Sequence, residues 1–185
     1  MEHPARMRGA LKAYCRLVAR YGERLGLVAP GDLDHFATRH VADSLRAAPV
    51  LDEVGPGPVI DVGSGAGLPG VPLALAHPKR FVRLLEPHRR RAAFLEEVVR
   101  QLDLNCEVVT RRAEDAARDP GLRGVHAVAV ARALAPPPQA LALLAPFVAT
   151  HGVALVFVGQ GRPVPPGADE WRPGLAIVRA QITAG

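Results

Sequence analysis

Residues 59 to 70, Val-Ile-Asp-Val-Gly-Ser-Gly-Ala-Gly-Leu-Pro-Gly, are the stretch with the clearest chemistry. An apolar strand pattern reaches an acid, Asp61, and then breaks into glycines at 63, 65 and 67 before a new helical pattern opens. Glycine has no β-carbon, so such a turn can adopt positive φ and approach a ligand closely, while the unpaired N–H groups of the next helix face the same space. That is a cradle for a nucleoside cofactor, with Asp61, Gly63, Ser64, Gly65, Gly67 and Leu68 as candidate contacts. A dinucleotide fingerprint calls for Gly or Ala where Leu68 stands, and its pyrophosphate would sit badly beside the Asp61 carboxylate. S-adenosylmethionine (SAM) carries a cationic sulfonium and ammonium and no phosphate, so a neighbouring acid suits it. SAM is the favoured reading; a dinucleotide site and an empty structural turn stay open on the residues alone.

A second candidate set lies upstream. In Arg39-His40-Val41-Ala42-Asp43-Ser44, read as part of a short helix over 34–45, Arg39 can pair with Asp43 and His40 can hydrogen-bond Ser44 one turn away. Taken by itself, this is more often local helix chemistry than site chemistry. No His/Cys/Asp/Glu spacing suggests a metal, and Cys15 and Cys106 are not placed to serve as a thiolate nucleophile.

These residues need elements to hold them. Strand-like apolar runs at 58–62, 81–86, 106–110, 125–131 and 153–158 alternate with helical patterns, the clearest over 88–103. Alternation of this kind predicts a parallel sheet with buried strands, covered by helices on both faces, with ligands at the carboxyl ends of the strands. Glu86 closes the second strand where an acid reaches ribose hydroxyls. Ala113 and Glu114 follow the third strand, where they would lie near a bound adenine, Glu114 reading equally as a helix N-terminal charge favoured by the dipole, and Arg132 follows the fourth. The proline-rich stretch 161–174 reads as an irregular connection, and 175–178 as a final antiparallel strand at the sheet edge. Gly55-Pro56-Gly57-Pro58 marks a boundary between a helical extension, 1–54, and a cofactor-binding core, 55–185.

Upstream of that boundary, Leu11, Tyr14, Val18, Tyr21 and Leu25 trace an apolar stripe on a helix over 7–25, with Arg8, Lys12, Arg16, Arg20 and Arg24 on the opposite face. The basic face reads either as a solvated surface or as a contact for nucleic acid backbone. The chain has 185 residues, 49% of them hydrophobic, and a net charge of +5. One core can form, and a polyanionic partner is compatible with the charge. Two cysteines, no apolar leader and no bilayer-length run lead to the expectation of a soluble, cytoplasmic protein without membrane contact.

Taken in order, Arg-His-x-x-Asp-Ser-Leu at 39–45, the glycine run at 61–70, Arg-x-Ala-Phe-Leu at 91–95, Arg-Ala-Glu at 112–114 and Ala-Arg-Ala at 131–133 resemble the RsmG/GidB family of bacterial 16S ribosomal RNA guanine-N7 methyltransferases. The resemblance spans about residues 10–160. It implies a Rossmann-like class I SAM-dependent methyltransferase fold with an N-terminal helical extension, SAM as cofactor, and 16S rRNA or the small ribosomal subunit as partner. It implies further that Gly63, Leu68, Ala113, Glu114 and Arg132 contact SAM and that Arg39, His40 and Asp43, with Arg132, position the base. The chain departs from the family pattern at Val158-Gly159, where Lys-Gly is usual, at Gly26-Leu27-Val28 in place of Asn-Leu-Thr, and in a shorter tail. Those departures leave a small-molecule methyltransferase, or a SAM- or RNA-binding protein without catalysis, as the alternatives.

Overall fold

A computed structural model describes residues 4–29 and 31–180. The long helix α1 (Pro4–Leu25) is followed by a 3₁₀ turn (Leu33–His35), a π-helix (Phe36–Val41) and two short helices, α2 (Ala42–Leu45) and α3 (Val50–Glu53). Strands β1 (Val59–Val62), β2 (Val82–Leu85), β3 (Cys106–Val109), β4 (His126–Ala131) and β5 (Val148–Phe157) then alternate with α4 (Gly70–Ala76), α5 (Arg89–Leu102), α6 (Ala113–Ala116) and α7 (Pro137–Leu144). Two last strands, β6 (Asp169–Arg172) and β7 (Leu175–Arg179), complete one sheet of order β3-β2-β1-β4-β5-β7-β6. The first five strands pair in parallel; β7 runs antiparallel to β5 and to β6. This is the Rossmann-like, mostly parallel sheet that the alternating pattern predicts.

Strand order decides where a ligand can sit. From β1 the chain builds outward through β2 and β3, then crosses back to place β4 on the other side of β1. The connections leaving β1 and β4 diverge to opposite sides there and open a crevice at the carboxyl ends. Side-chain alternation sorts the two faces. Val59, Leu84, Val128 and Leu155 join Tyr14, Val18, Leu73 and Leu95 in one apolar cluster, while Ile60, Val62, Ala129 and Val156 join Leu144 and Phe147 in the other. Asp61 shares the face of Val59 and therefore points into the layer of α1 and α4. Helix α5 stops at Asp103, which takes the left-handed conformation (φ 50°) just past its end. Helix α7 starts on prolines at its first turn, where their missing N–H groups cost nothing.

Four expectations change. The stretch 161–174 is not wholly irregular, because Asp169–Arg172 pairs with β7; its charged residues hide a strand that needs only an edge to add to. The run 175–178 is accordingly second from the edge. Strand β3 is the other edge and only half buried, although its Cys106 packs partly buried against the core. Finally, the helix read over 34–45 is three conformations in succession. Its π-helical middle changes the angular offset between residues four apart, with consequences for the side chains that carry the site.

Candidate functional site

The glycine run lies at the carboxyl end of β1 and is fixed from two sides, by β2 and by α1. From β2, the Leu85 carbonyl accepts from the N–H groups of Gly63 (2.8 Å) and Ser64 (3.0 Å). Glu86, buried at the end of the same strand, accepts from Gly65 N–H at 2.9 Å on Oε2, and from the His88 N–H (2.9 Å) and Nδ1 (2.8 Å) on Oε1. From α1, the Tyr14 hydroxyl donates to the Ala66 carbonyl at 2.7 Å. Gly63, Gly65 and Gly67 have φ of 76°, 56° and 98°, which only glycine adopts freely. A β-carbon at 63 would lie 2.5 Å from Leu134 Cδ1 and one at 67 would lie 2.7 Å from Val71 Cγ2, whereas at 65 nothing comes nearer than the Gly63 carbonyl at 3.9 Å. Gly65 is the point of the turn that faces open space.

Beside it lies a cleft of about 240 Å³, lined by Val62, Gly63, Ala113, Glu114, Leu134 and Leu143 among others. Ala113 is half-buried at the start of α6, and Glu114 is exposed on the rim. A more capacious hollow, about 1320 Å³, sits at the amino ends of β1 and β2. Size does not mark the site there. The Arg80 guanidinium in that hollow is spent on the carbonyls of Leu51, Val54, Gly55 and Gly57.

Asp61 is fully buried behind the turn. Its Oδ2 accepts from Gly70 N–H at the start of α4 (2.9 Å), and its Oδ1 has no partner. Burial pushes the carboxyl up to about 7, against the Gly70 hydrogen bond and the nearby Arg132 charge, which favour ionisation. Burial likewise raises the Tyr14 hydroxyl well above its ordinary value, the Cys15 thiol, and the Cys106 thiol to about 12, so neither cysteine offers a thiolate.

Arg132, on the loop after β4, gathers the upstream set. Its Nε donates to Asp43 Oδ2 (3.1 Å) and its Nη2 to His40 Nδ1 (2.8 Å). Asp43 also accepts from Arg46 (2.8 Å), while His40 Nε2 lies 3.3 Å from Asp32 and Arg39 lies 3.7 Å from the same carboxylate. Because a guanidinium only donates, Nδ1 must accept; the neutral imidazole then carries its proton on Nε2, toward Asp32. The pairs expected within the helix are therefore replaced. Arg39 meets Asp32 rather than Asp43, and Ser44 donates to the His40 backbone carbonyl (2.8 Å) rather than bonding its ring.

The candidate cofactor and base-positioning residues thus fall at one end of the sheet, in two adjoining groups: the turn with Asp61, Glu86, Ala113 and Glu114, and the cluster of Arg132, His40, Asp43 and Arg39. Sequence reasoning missed Tyr14, Asp32, Arg46 and Leu134. Tyr14 is hidden in an apolar stripe where its ring fits as core. Asp32 and Leu134 stand in loops, with no periodicity to point them at a target.

Among the described residues no helix is long and apolar enough to cross a membrane, and no group of His, Cys, Asp or Glu is arranged to hold a metal. The family model described as rRNA small subunit methyltransferase G matches residues 7–163. A protein named ribosomal RNA small subunit methyltransferase G from Corynebacterium jeikeium is 47% identical over 123 residues, covering 66% of this chain and 54% of that protein. Its namesake from Frankia casuarinae is 44% identical over 154 residues, covering 82% and 57%. The chain spans about half the length of these relatives. Among solved structures, a methyltransferase from Geobacter sulfurreducens shares the fold, with a TM-score of 0.55 at 15% identity over 88% of this chain and 96% of that one.

Proposed function

The chain belongs to the rRNA small subunit methyltransferase G family, and from that membership we propose that it moves a methyl group from SAM to N7 of a guanine in 16S ribosomal RNA. The observation that carries the reading is the open face of Gly65 between two buried acids, Asp61 and Glu86, with Arg132 adjoining.

The residues fit SAM. The turn admits no β-carbon at 63 or 67, leaves space at 65, and keeps one carboxylate oxygen, Asp61 Oδ1, without a partner. Glu86 retains acceptor capacity for ribose hydroxyls, the cleft beside Ala113 and Glu114 takes the adenine, and the Asp61 charge favours a cationic ligand across the turn. When bound, SAM supplies an electrophilic sulfonium methyl.

What remains for the chain is alignment. Guanine N7 has a free lone pair and no proton, so no general base is needed. Arg132, His40 and Asp43 orient the base, the guanidinium being suited to guanine O6. Asp43 balances the Arg132 charge, so the site tolerates a cationic purine as it forms. The test combines calorimetric titration with SAM and transfer from tritiated SAM to 16S rRNA, 30S subunits or a metabolite extract. Label at guanine N7 in RNA is the expected result; label confined to small molecules, or none despite SAM binding, overturns it.

A further inference from the structure

Six basic residues against one acid, Glu23, give α1 a net charge of +5, equal to that of the entire chain. The remainder of the protein is balanced. That segregation works against the helix itself. Arg8, Lys12, Arg16, Arg20 and Arg24 follow one another at four-residue spacing, where like charges repel, and the first turn holds no acid to complement the helix dipole. All five are exposed. Arg20 and Arg24 rest over the Tyr21 ring at 5.3 and 5.9 Å, whereas Arg8, Lys12 and Arg16 have no hydrogen bond or ion pair among the described residues. Along the amino-terminal half of the row, at Arg8, Lys12 and Arg16, no such contact offsets the repulsion, whereas Arg20 also feels the Glu97 carboxylate.

The row has a fixed place relative to the site. The apolar face of α1 is bolted to the core by Tyr14 and Val18, and to the glycine turn by the Tyr14 hydroxyl, so the basic face must look outward. Just past the end of α1, the Gly26 carbonyl accepts from Arg91 (3.0 Å) on α5. Exposed Arg89 and Arg90 begin that helix next to Glu86 and His88. A positive track therefore runs from the rim of the cleft down α1 for about 24 Å, at 1.5 Å per residue.

Resting on the methyltransferase reading above, we propose that this track is the phosphate-binding surface that holds the RNA strand flanking the target base. The chemistry recognised is the ribose–phosphate backbone, not sequence. An anionic membrane is the other partner a basic amphipathic helix can take, but it needs the apolar face free for insertion, and here that face is buried in the core.

The test compares the triple variant Arg8→Gln/Lys12→Gln/Arg16→Gln with a control of equal charge loss, Arg118→Gln/Arg123→Gln/Arg179→Gln. Affinity for a 16S-derived RNA fragment is measured by fluorescence anisotropy over a salt series, with SAM affinity by calorimetry and thermal unfolding alongside. In the α1 variant, RNA affinity should fall at least tenfold at low salt, and the slope of log affinity against log salt should shrink by about 2 to 3 for three lost phosphate contacts. SAM affinity should hold, and the unfolding midpoint should hold or rise as repulsion is relieved. An α1 variant that binds RNA like the wild type or like the control overturns the proposal, as does wild-type binding to phosphatidylserine vesicles without binding to RNA. If RNA binding and its salt slope behave as expected while no guanine is methylated, the catalytic reading fails and this surface stands.

Discussion

With SAM seated on the glycine turn as proposed, position 65 separates ligand binding from folding. With nothing within ordinary contact of a new β-carbon except the Gly63 carbonyl, Gly65→Val meets only the strain of φ 56°, about 1–2 kcal/mol for a residue with a side chain. The variant should fold, with an unfolding midpoint lowered by a few degrees, and calorimetry should find its SAM affinity down at least tenfold. At Gly63 the same change drives atoms into Leu134 and should compromise the fold as well. Asp32 acts through its neighbours: it faces both Arg39 and the Nε2 of His40. Asp32→Ala should leave SAM affinity intact and lower kcat on RNA about tenfold, the scale of one lost charge-assisted hydrogen bond of about 1.5 kcal/mol. Nitrogen NMR of the His40 ring should show the Nε2-protonated tautomer in the wild type and a mixture in the variant; an unchanged ring would mean Asp32 does not orient it.

Among the elements, α1 and the 33–45 segment hold the two halves of the site together. Tyr14→Phe keeps the ring, with its edge contact to Phe36 at 5.5 Å, and removes only the bond to Ala66. A buried carbonyl left unsatisfied costs about 1–3 kcal/mol, so urea unfolding should show a loss of that size, with weaker SAM binding as the turn loosens. Parallel strands were legible because apolar runs of strand length recur between helical patterns, and α5 because its apolar positions repeat at 3.6-residue spacing. Strand β6 was not legible. Asp169-Glu170-Trp171-Arg172 carries no buried face, and only β7 beside it makes it a strand, with Trp171 tied to Glu53 at 2.8 Å. The π-helix escaped for a similar reason: its residues read equally well as α-helical, and the choice falls to what Phe36, Val41 and Arg132 require of it.

For the whole molecule, two buried groups set opposing pH dependences. Burial holds His126 down to about 4, with Nδ1 facing the Phe147 carbonyl and Nε2 facing Arg83; stability from this group is present above pH 6.5 and lost as pH falls through about 4. Burial holds Asp61 up to about 7; stability from that group is present below its ordinary value and lost as pH rises through about 7. Each is on the order of 3 kcal/mol, with opposite sign, so unfolding free energy should be nearly flat between about pH 4.5 and 6.5. Asp61→Asn removes one side of the balance, and denaturant titrations should then show stability falling as that range is acidified; a flat profile in the variant would refute the assignment. The sequence by itself determined the sheet's core strands, the glycine turn and the charge on α1, because these follow from short-range rules: side-chain period, backbone freedom at glycine and residue type. Only the tertiary structure decided that Arg132 meets His40 and Asp43 from the far side of β1, that Tyr14 clamps Ala66, and that Asp61 is sealed beneath the turn. Those contacts join residues distant in the chain, and strand order and helix packing fix which side chains meet.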